Sequence, residues 1–198
     1  MLFSAPAVAK VLADVPARRL PILAMLSAVL LAMTAVFPGP AAAADEPAAF
    51  TFALDTSDGG RVEFPAAGTG KTSIVLFWAT WCPYCKALMP HLQAIKYEYG
   101  DAVQVFAISI KDDGDPAAFL DKYGYDFVSL PEGDAVAERY GVRTTPGVLV
   151  VDAEGNVTFD LRDVQVPASA SPGEGAGHRL KAAHRAPYWV AQLRKALP

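Results

Sequence analysis

The stretch Phe77-Trp78-Ala79-Thr80-Trp81-Cys82-Pro83-Tyr84-Cys85-Lys86 decides the fold. It carries both cysteines of the 198-residue chain, separated by Pro83 and Tyr84. Upstream, Ser73-Ile74-Val75-Leu76-Phe77 is an apolar, partly β-branched run that reads as a buried strand. Downstream, Leu88, Leu92, Ile95 and Tyr99 recur at i, i+4, i+7 and i+11, one stripe of an α-helix, and Gly100 supplies its stop. Cys82 therefore falls where a strand gives way to a helix. Unpaired backbone N–H groups and the helix dipole favour negative charge there, so a thiol at that place ionises more readily than a free one. Cys85 lies one turn later on the same face, within reach of a disulfide to Cys82.

A Cys-x-x-Cys pair has several uses. A zinc half-site needs two further ligands, yet no cysteine remains, and His91, His178 and His184 show no finger spacing. Covalent haem attachment needs His after the second Cys, where Lys86 stands. A structural disulfide would close only a four-residue loop and stabilise little by chain entropy. Redox exchange suits both the position and the flanking aromatics, with the structural disulfide as its alternative.

The run Trp78-Ala79-Thr80-Trp81-Cys82-Pro83-Tyr84-Cys85-Lys86, with Pro90 a turn further, resembles the active-site segment of thioredoxin-fold proteins. Its Trp-Ala-x-Trp-Cys lead-in is most similar to the TlpA/ResA-like thioredoxins of the bacterial envelope. Tyr140-Gly141-Val142-Arg143-Thr144-Thr145-Pro146-Gly147-Val148-Leu149-Val150-Val151-Asp152 resembles the family's second signature, in which the proline is cis and faces the cysteines. The similarity runs from about Phe50 to Leu161 and resumes in the final helix. It implies an α/β, three-layer thioredoxin-like fold: a central mixed sheet, an N-terminal β-hairpin and flanking helices.

The activity implied is thiol–disulfide exchange with protein disulfides or dithiols, and no metal or other cofactor is expected. Cys82 would attack and Cys85 would resolve the mixed disulfide. Trp81, Pro83, Tyr84, Thr145 and Pro146 would meet the substrate. The first expectation is a TlpA-like reductase kept reduced by a membrane electron donor. The alternatives are an oxidant or isomerase, in keeping with Thr145, and a non-enzymatic binding module or metallochaperone. Two departures stand out. Relatives carry an Asp six residues before the nucleophile, or a Glu three after the second Cys; here these positions are Leu76 and Leu88. The proton acceptor for Cys85 is thus unassigned. A peroxiredoxin motif would place Thr three residues before the Cys, where Ala79 stands.

Elsewhere, Lys10, Arg18 and Arg19 precede an apolar run from Leu20 to Phe37, then Pro38-Gly39-Pro40 and four alanines. This is the layout of a secretory signal peptide over residues 1–44, with an uncleaved anchor as the alternative. Either way the remainder, 45–198, is expected to be exported to the periplasm. Residues 1–44 hold three of the 17 Lys/Arg and one of the 21 Asp/Glu, leaving 14 against 20 and a net −6 for Asp45–Pro198. That balance gives no reason to expect nucleic acid.

Phe50–Leu54 and Arg61–Phe64 flank Asp58-Gly59-Gly60 and read as the hairpin. Val103–Ile110, a helix with Pro116 in its first turn, Phe127–Leu130 and a helix over Asp134–Tyr140 read as a parallel crossover block. Val148–Val151 and Val157–Leu161 read as the closing hairpin. Pro167–Gly177 has linker composition, and Pro187 is expected to start the terminal helix. The interval 164–186 therefore reads as an insertion: a solvated loop, or else a docking surface or flap over the active site.

Overall fold

The computed structural model describes residues 49–173 and 175–198. The signal peptide or anchor expected over 1–44 lies outside the described residues. Strands β1 (Phe52–Asp55) and β2 (Arg61–Phe64) form an antiparallel hairpin. Then come β3 (Thr72–Trp78), α1 (Pro83–Tyr99), β4 (Val103–Ser109), α2 (Pro116–Tyr123), β5 (Val128–Leu130), α3 (Asp134–Arg139), β6 (Gly147–Val151), β7 (Val157–Asp160) and α4 (His178–Leu193). The main sheet has the order β5-β4-β3-β6-β7, with β5, β4 and β3 parallel and β6 and β7 antiparallel to their neighbours. This is the mixed sheet with hairpin and flanking helices that the motifs imply.

Strand β3 lies at the centre because it is apolar on both faces. Ile74, Leu76 and Trp78 point into a core shared with α1, α2 and α4. Val75 and Phe77 point into a second core with the β1–β2 hairpin and α3. Ile74, Leu76, Phe77 and Trp78 are all fully buried. At about 1.5–3 kcal/mol each, their burial matches the whole net stability of a typical domain. The register of β3 is therefore fixed, and with it the position of the loop that follows.

The second core is aromatic. Phe50, Phe52, Phe64 and Phe106 meet mostly edge to face, with Phe52 and Phe64 stacked at 5.2 Å. Tyr140 joins Phe50 at 4.3 Å. Its hydroxyl accepts the Thr51 N–H at 2.7 Å and donates to the Thr51 carbonyl at 2.8 Å. The hairpin is thereby tied to the segment leading to Pro146.

The helix α1 buries Leu88, Met89, Leu92, Gln93 and Ile95 and ends at Gly100, whose φ of +54° favours glycine. It runs from Pro83 to Tyr99 with Pro90 inside it.

The C-terminal region departs further from expectation. Pro187 does not start α4; it sits inside a helix that begins at His178. Ala182, Ala186, Trp189, Val190 and Leu193 form its buried stripe, and burial of that face outweighs the hydrogen bond Pro187 cannot make. The carbonyl left over belongs to Ala183, which is exposed. Residues 178–186 of the 164–186 insertion are therefore helix packed on the domain, preceded by a short 3-10 turn at Ala168–Ala170. No helix among the described residues is long and apolar enough to cross a membrane.

Candidate active site

Cys82 is the N-cap of α1, and Pro83 takes the first helical position. A Cys82 N–H to Ala79 carbonyl bond of 3.0 Å makes the turn out of β3, and Lys86 N–H donates to the Cys82 carbonyl at 3.2 Å. Cys82 Sγ accepts the Cys85 backbone N–H at 3.2 Å, the bond a serine or aspartate makes at this position in other helices. The first turn of α1 contains no acidic residue, so nothing there offsets the helix's positive end. Cys82 and Cys85 are joined as a disulfide, with Cα atoms 5.4 Å apart.

Both sulfurs are covered. Cys85 is fully buried, as its place in the helix requires, but Cys82 is only 1% exposed. The exposure falls instead on Trp81, at 54%, whose indole N–H donates to the Lys111 carbonyl at 2.9 Å. Pro83 and Tyr84 are half-buried. The cysteines share their core with Leu76 and Leu88, which stand where relatives carry the two carboxylates.

The sheet brings the second signature to the same end of the molecule. β6 pairs with β3 so that Gly147 faces Phe77, which sets Pro146 level with Trp78. The Thr145–Pro146 peptide is cis, as is Phe64–Pro65 in the hairpin, which nothing in the sequence signalled. Three contacts hold the segment before Pro146: the Tyr140–Thr51 pair, Arg162 Nη1 donating to the Tyr140 carbonyl at 2.9 Å, and Lys111 Nζ donating to the Arg143 carbonyl at 3.3 Å. Arg162 is in turn held by Asp160. Among the described residues, the peptide groups of Thr144 and Thr145 make no backbone hydrogen bond.

Asp112 fixes the approach to Cys82 from the other side. Its carboxylate accepts from the Thr80 N–H and hydroxyl, both at 2.6 Å, from Ser109 Oγ at 3.0 Å and from the Gly114 N–H at 3.1 Å. Partial burial pushes its carboxyl up. The hydrogen bonds from Thr80, Gly114 and Ser109 outweigh that and hold it below the usual carboxylate range.

A groove of about 330 Å³ opens beside this centre. Its lining includes Tyr84, Thr144, Thr145, Pro146, Val164, Val166, Arg185 and Trp189. Of the expected substrate-facing residues it gathers Tyr84, Thr145 and Pro146, while Trp81 and Pro83 stand outside its lining. Tyr84 is packed against α4: its ring lies 6.1 Å from Trp189, the Arg185 guanidinium stands 5.7 Å from its centroid, and its hydroxyl lies 3.3 Å from His178 Nδ1. Among the described residues, no three His, Cys, Asp or Glu side chains gather as metal ligands do.

Comparison with known proteins agrees with this geometry. Thiol-disulfide oxidoreductase ResA of Halalkalibacterium halodurans is 29% identical over 112 residues, covering 55% of this chain and 63% of the relative. The soluble secreted antigen MPT53 of Mycobacterium tuberculosis is 33% identical over 140 residues, covering 70% of this chain and 79% of the relative. Among solved structures, the thioredoxin domain of a thiol-disulfide oxidoreductase from Bacteroides vulgatus superposes with a TM-score of 0.53 at 17% identity, over 75% of this chain and 94% of that domain. That last likeness establishes the thioredoxin-like fold. The AhpC/TSA family matches residues 46–160, ending just before the 164–186 segment. With more than half of its length matched, this chain belongs to the AhpC/TSA family.

Proposed function

We propose that the protein is an exported thiol–disulfide oxidoreductase that exchanges the Cys82–Cys85 pair with protein substrates. The observation that carries this is the disulfide at the mouth of α1, with Cys82 Sγ accepting the Cys85 N–H. In the reduced form, the Cys82 thiolate attacks a substrate disulfide and expels one substrate sulfur, which takes up a proton. Cys85 then loses its proton and attacks the Cys82 sulfur. This releases the second substrate thiol and restores the bond seen here. Two electrons pass to the substrate, and the reverse sequence oxidises a dithiol. The unbonded backbone at Thr144 and Thr145 offers a substrate strand its partner, and Pro146, lacking an N–H, leaves room beside it. Trp81 and Pro83 form the outer rim.

The resemblance of the Trp78–Lys86 run to TlpA/ResA-like thioredoxins supports the reading as a reductase recharged by a membrane electron donor. The periplasmic location is supported by the basic–apolar–alanine N-terminus and by the secreted relative. Purified protein should catalyse insulin reduction by dithiothreitol, and Cys82→Ser should abolish it; equal activity in that variant would defeat the reading. A redox titration fixes the direction, since known pairs run from about −270 mV for thioredoxin to about −120 mV for a strong oxidant. A value near the upper figure would make the protein an oxidant.

A further inference from the structure

We infer that the groove between the Thr144–Pro146 loop and α4 selects polypeptide substrates carrying Asp or Glu beside the reacting cysteine. This rests on the exchange reading above and adds a substrate class to it. The argument begins with charge. Residues 45–163 hold nine Lys/Arg against nineteen Asp/Glu, whereas residues 164–198 hold five against one. A basic arm is thus attached to a strongly acidic body. The helix α4 contains no acidic residue, and its first turn carries cations where the helix dipole disfavours them.

Geometry brings this charge to the cysteines. Arg185 lines the groove and stands over Tyr84, the residue just before Cys85. Among the described residues it has no ion-pair partner, and its Nε is buried without an acceptor. The other arginine of the lining, Arg162, is neutralised by Asp160, with Asp163 close enough to add to its stabilisation. The free cation in the groove is therefore that of Arg185. Around it Leu161, Val164, Val166 and Trp189 give an apolar lining. An extended peptide can bond to the Thr144–Thr145 backbone, lay apolar side chains on that lining and set a carboxylate against the guanidinium. A lone small anion would use none of the first two features.

The test uses the full chain and three short cysteine peptides, flanked by Glu, Ser or Lys and oxidised to their disulfide dimers. Each catalysed rate is divided by the uncatalysed rate with dithiothreitol. The Glu peptide should exceed the Ser peptide in relative kcat/KM by about fivefold, with the Lys peptide slowest. Raising the salt should shrink the preference. Arg185→Gln should abolish it, and Arg185→Lys should retain most of it. Equal relative rates for the three peptides, or a preference indifferent to salt and to Arg185→Gln, would overturn the inference and leave the exchange reading standing. If no peptide is reduced, the exchange reading falls. Calorimetric titration with the same peptides as thiols then decides the inference: tighter binding of the Glu peptide upholds it, and equal binding ends it.

Discussion

Asp112 grips Thr80 at two points, one carboxylate oxygen taking its backbone N–H and the other its hydroxyl, each at 2.6 Å. Thr80 stands two residues before Cys82, so this grip sets the strand-to-helix turn. Asp112→Ala would leave the Thr80 and Gly114 N–H groups without their acceptor. Unfolding free energy should fall by about 1–3 kcal/mol, read by urea denaturation.

The same carboxyl gives a pH signature. Its folded pKa lies below the ordinary value, so its contribution to stability is fully present above the unfolded pKa of about 3.9 and fades as pH falls through the folded value. The stability gap between wild type and Asp112→Asn should therefore be constant from neutral pH to about pH 5 and narrow below pH 4. A gap that widens in acid would contradict the assignment.

The two thiols of the reduced protein should titrate apart. Cys82 at the helix mouth should ionise below the free-thiol value of about 8.5, and Cys85, inside the apolar core, above it. Alkylation rates against pH, measured on wild type and Cys85→Ser, separate the two. A single transition at the free-thiol value would remove the case for Cys82 as nucleophile.

Tyr84 joins the active-site turn to α4. Tyr84→Phe loses only the 3.3 Å contact to His178 and should cost under about 1 kcal/mol. Tyr84→Ala also loses the packing against Trp189 and Arg185 and should cost about 3 kcal/mol. Hydrogen exchange over residues 178–186 should rise in the alanine variant alone.

Gly147 begins β6 immediately after Pro146. A Cβ there would meet Val142 Cγ1 at 2.5 Å and Phe77 Cβ at 3.4 Å. Gly147→Ala should destabilise by about 1–3 kcal/mol and, by moving the Pro146 loop, slow insulin reduction. Unchanged kinetics with lowered stability would separate that loop from catalysis.

The strands, the crossover and the cysteine turn could be read from the sequence because each is written in local periodicity. Ile74–Trp78 is apolar without a break, Pro116 marks a helix start, and Gly100 marks a stop. The helix α4 could not be placed: Gly177 provides no capping side chain, its first turn carries the wrong charge, and Pro187 imitates a start. What holds it is tertiary burial. Asp112 was hidden for another reason. It lies 32 residues from Thr80 and meets it because parallel pairing sets Trp78 beside Ser109. No short pattern encodes that meeting. Arg185 likewise gains meaning only once α4 folds back over Tyr84.

The cysteines hang from β3, which is bonded on one side to β4 and on the other to β6. Fraying of the outer strands β5 and β7, or of the C-terminal arm, leaves that inner ladder whole. The reactive pair is thus mounted on the part of the molecule that lets go last.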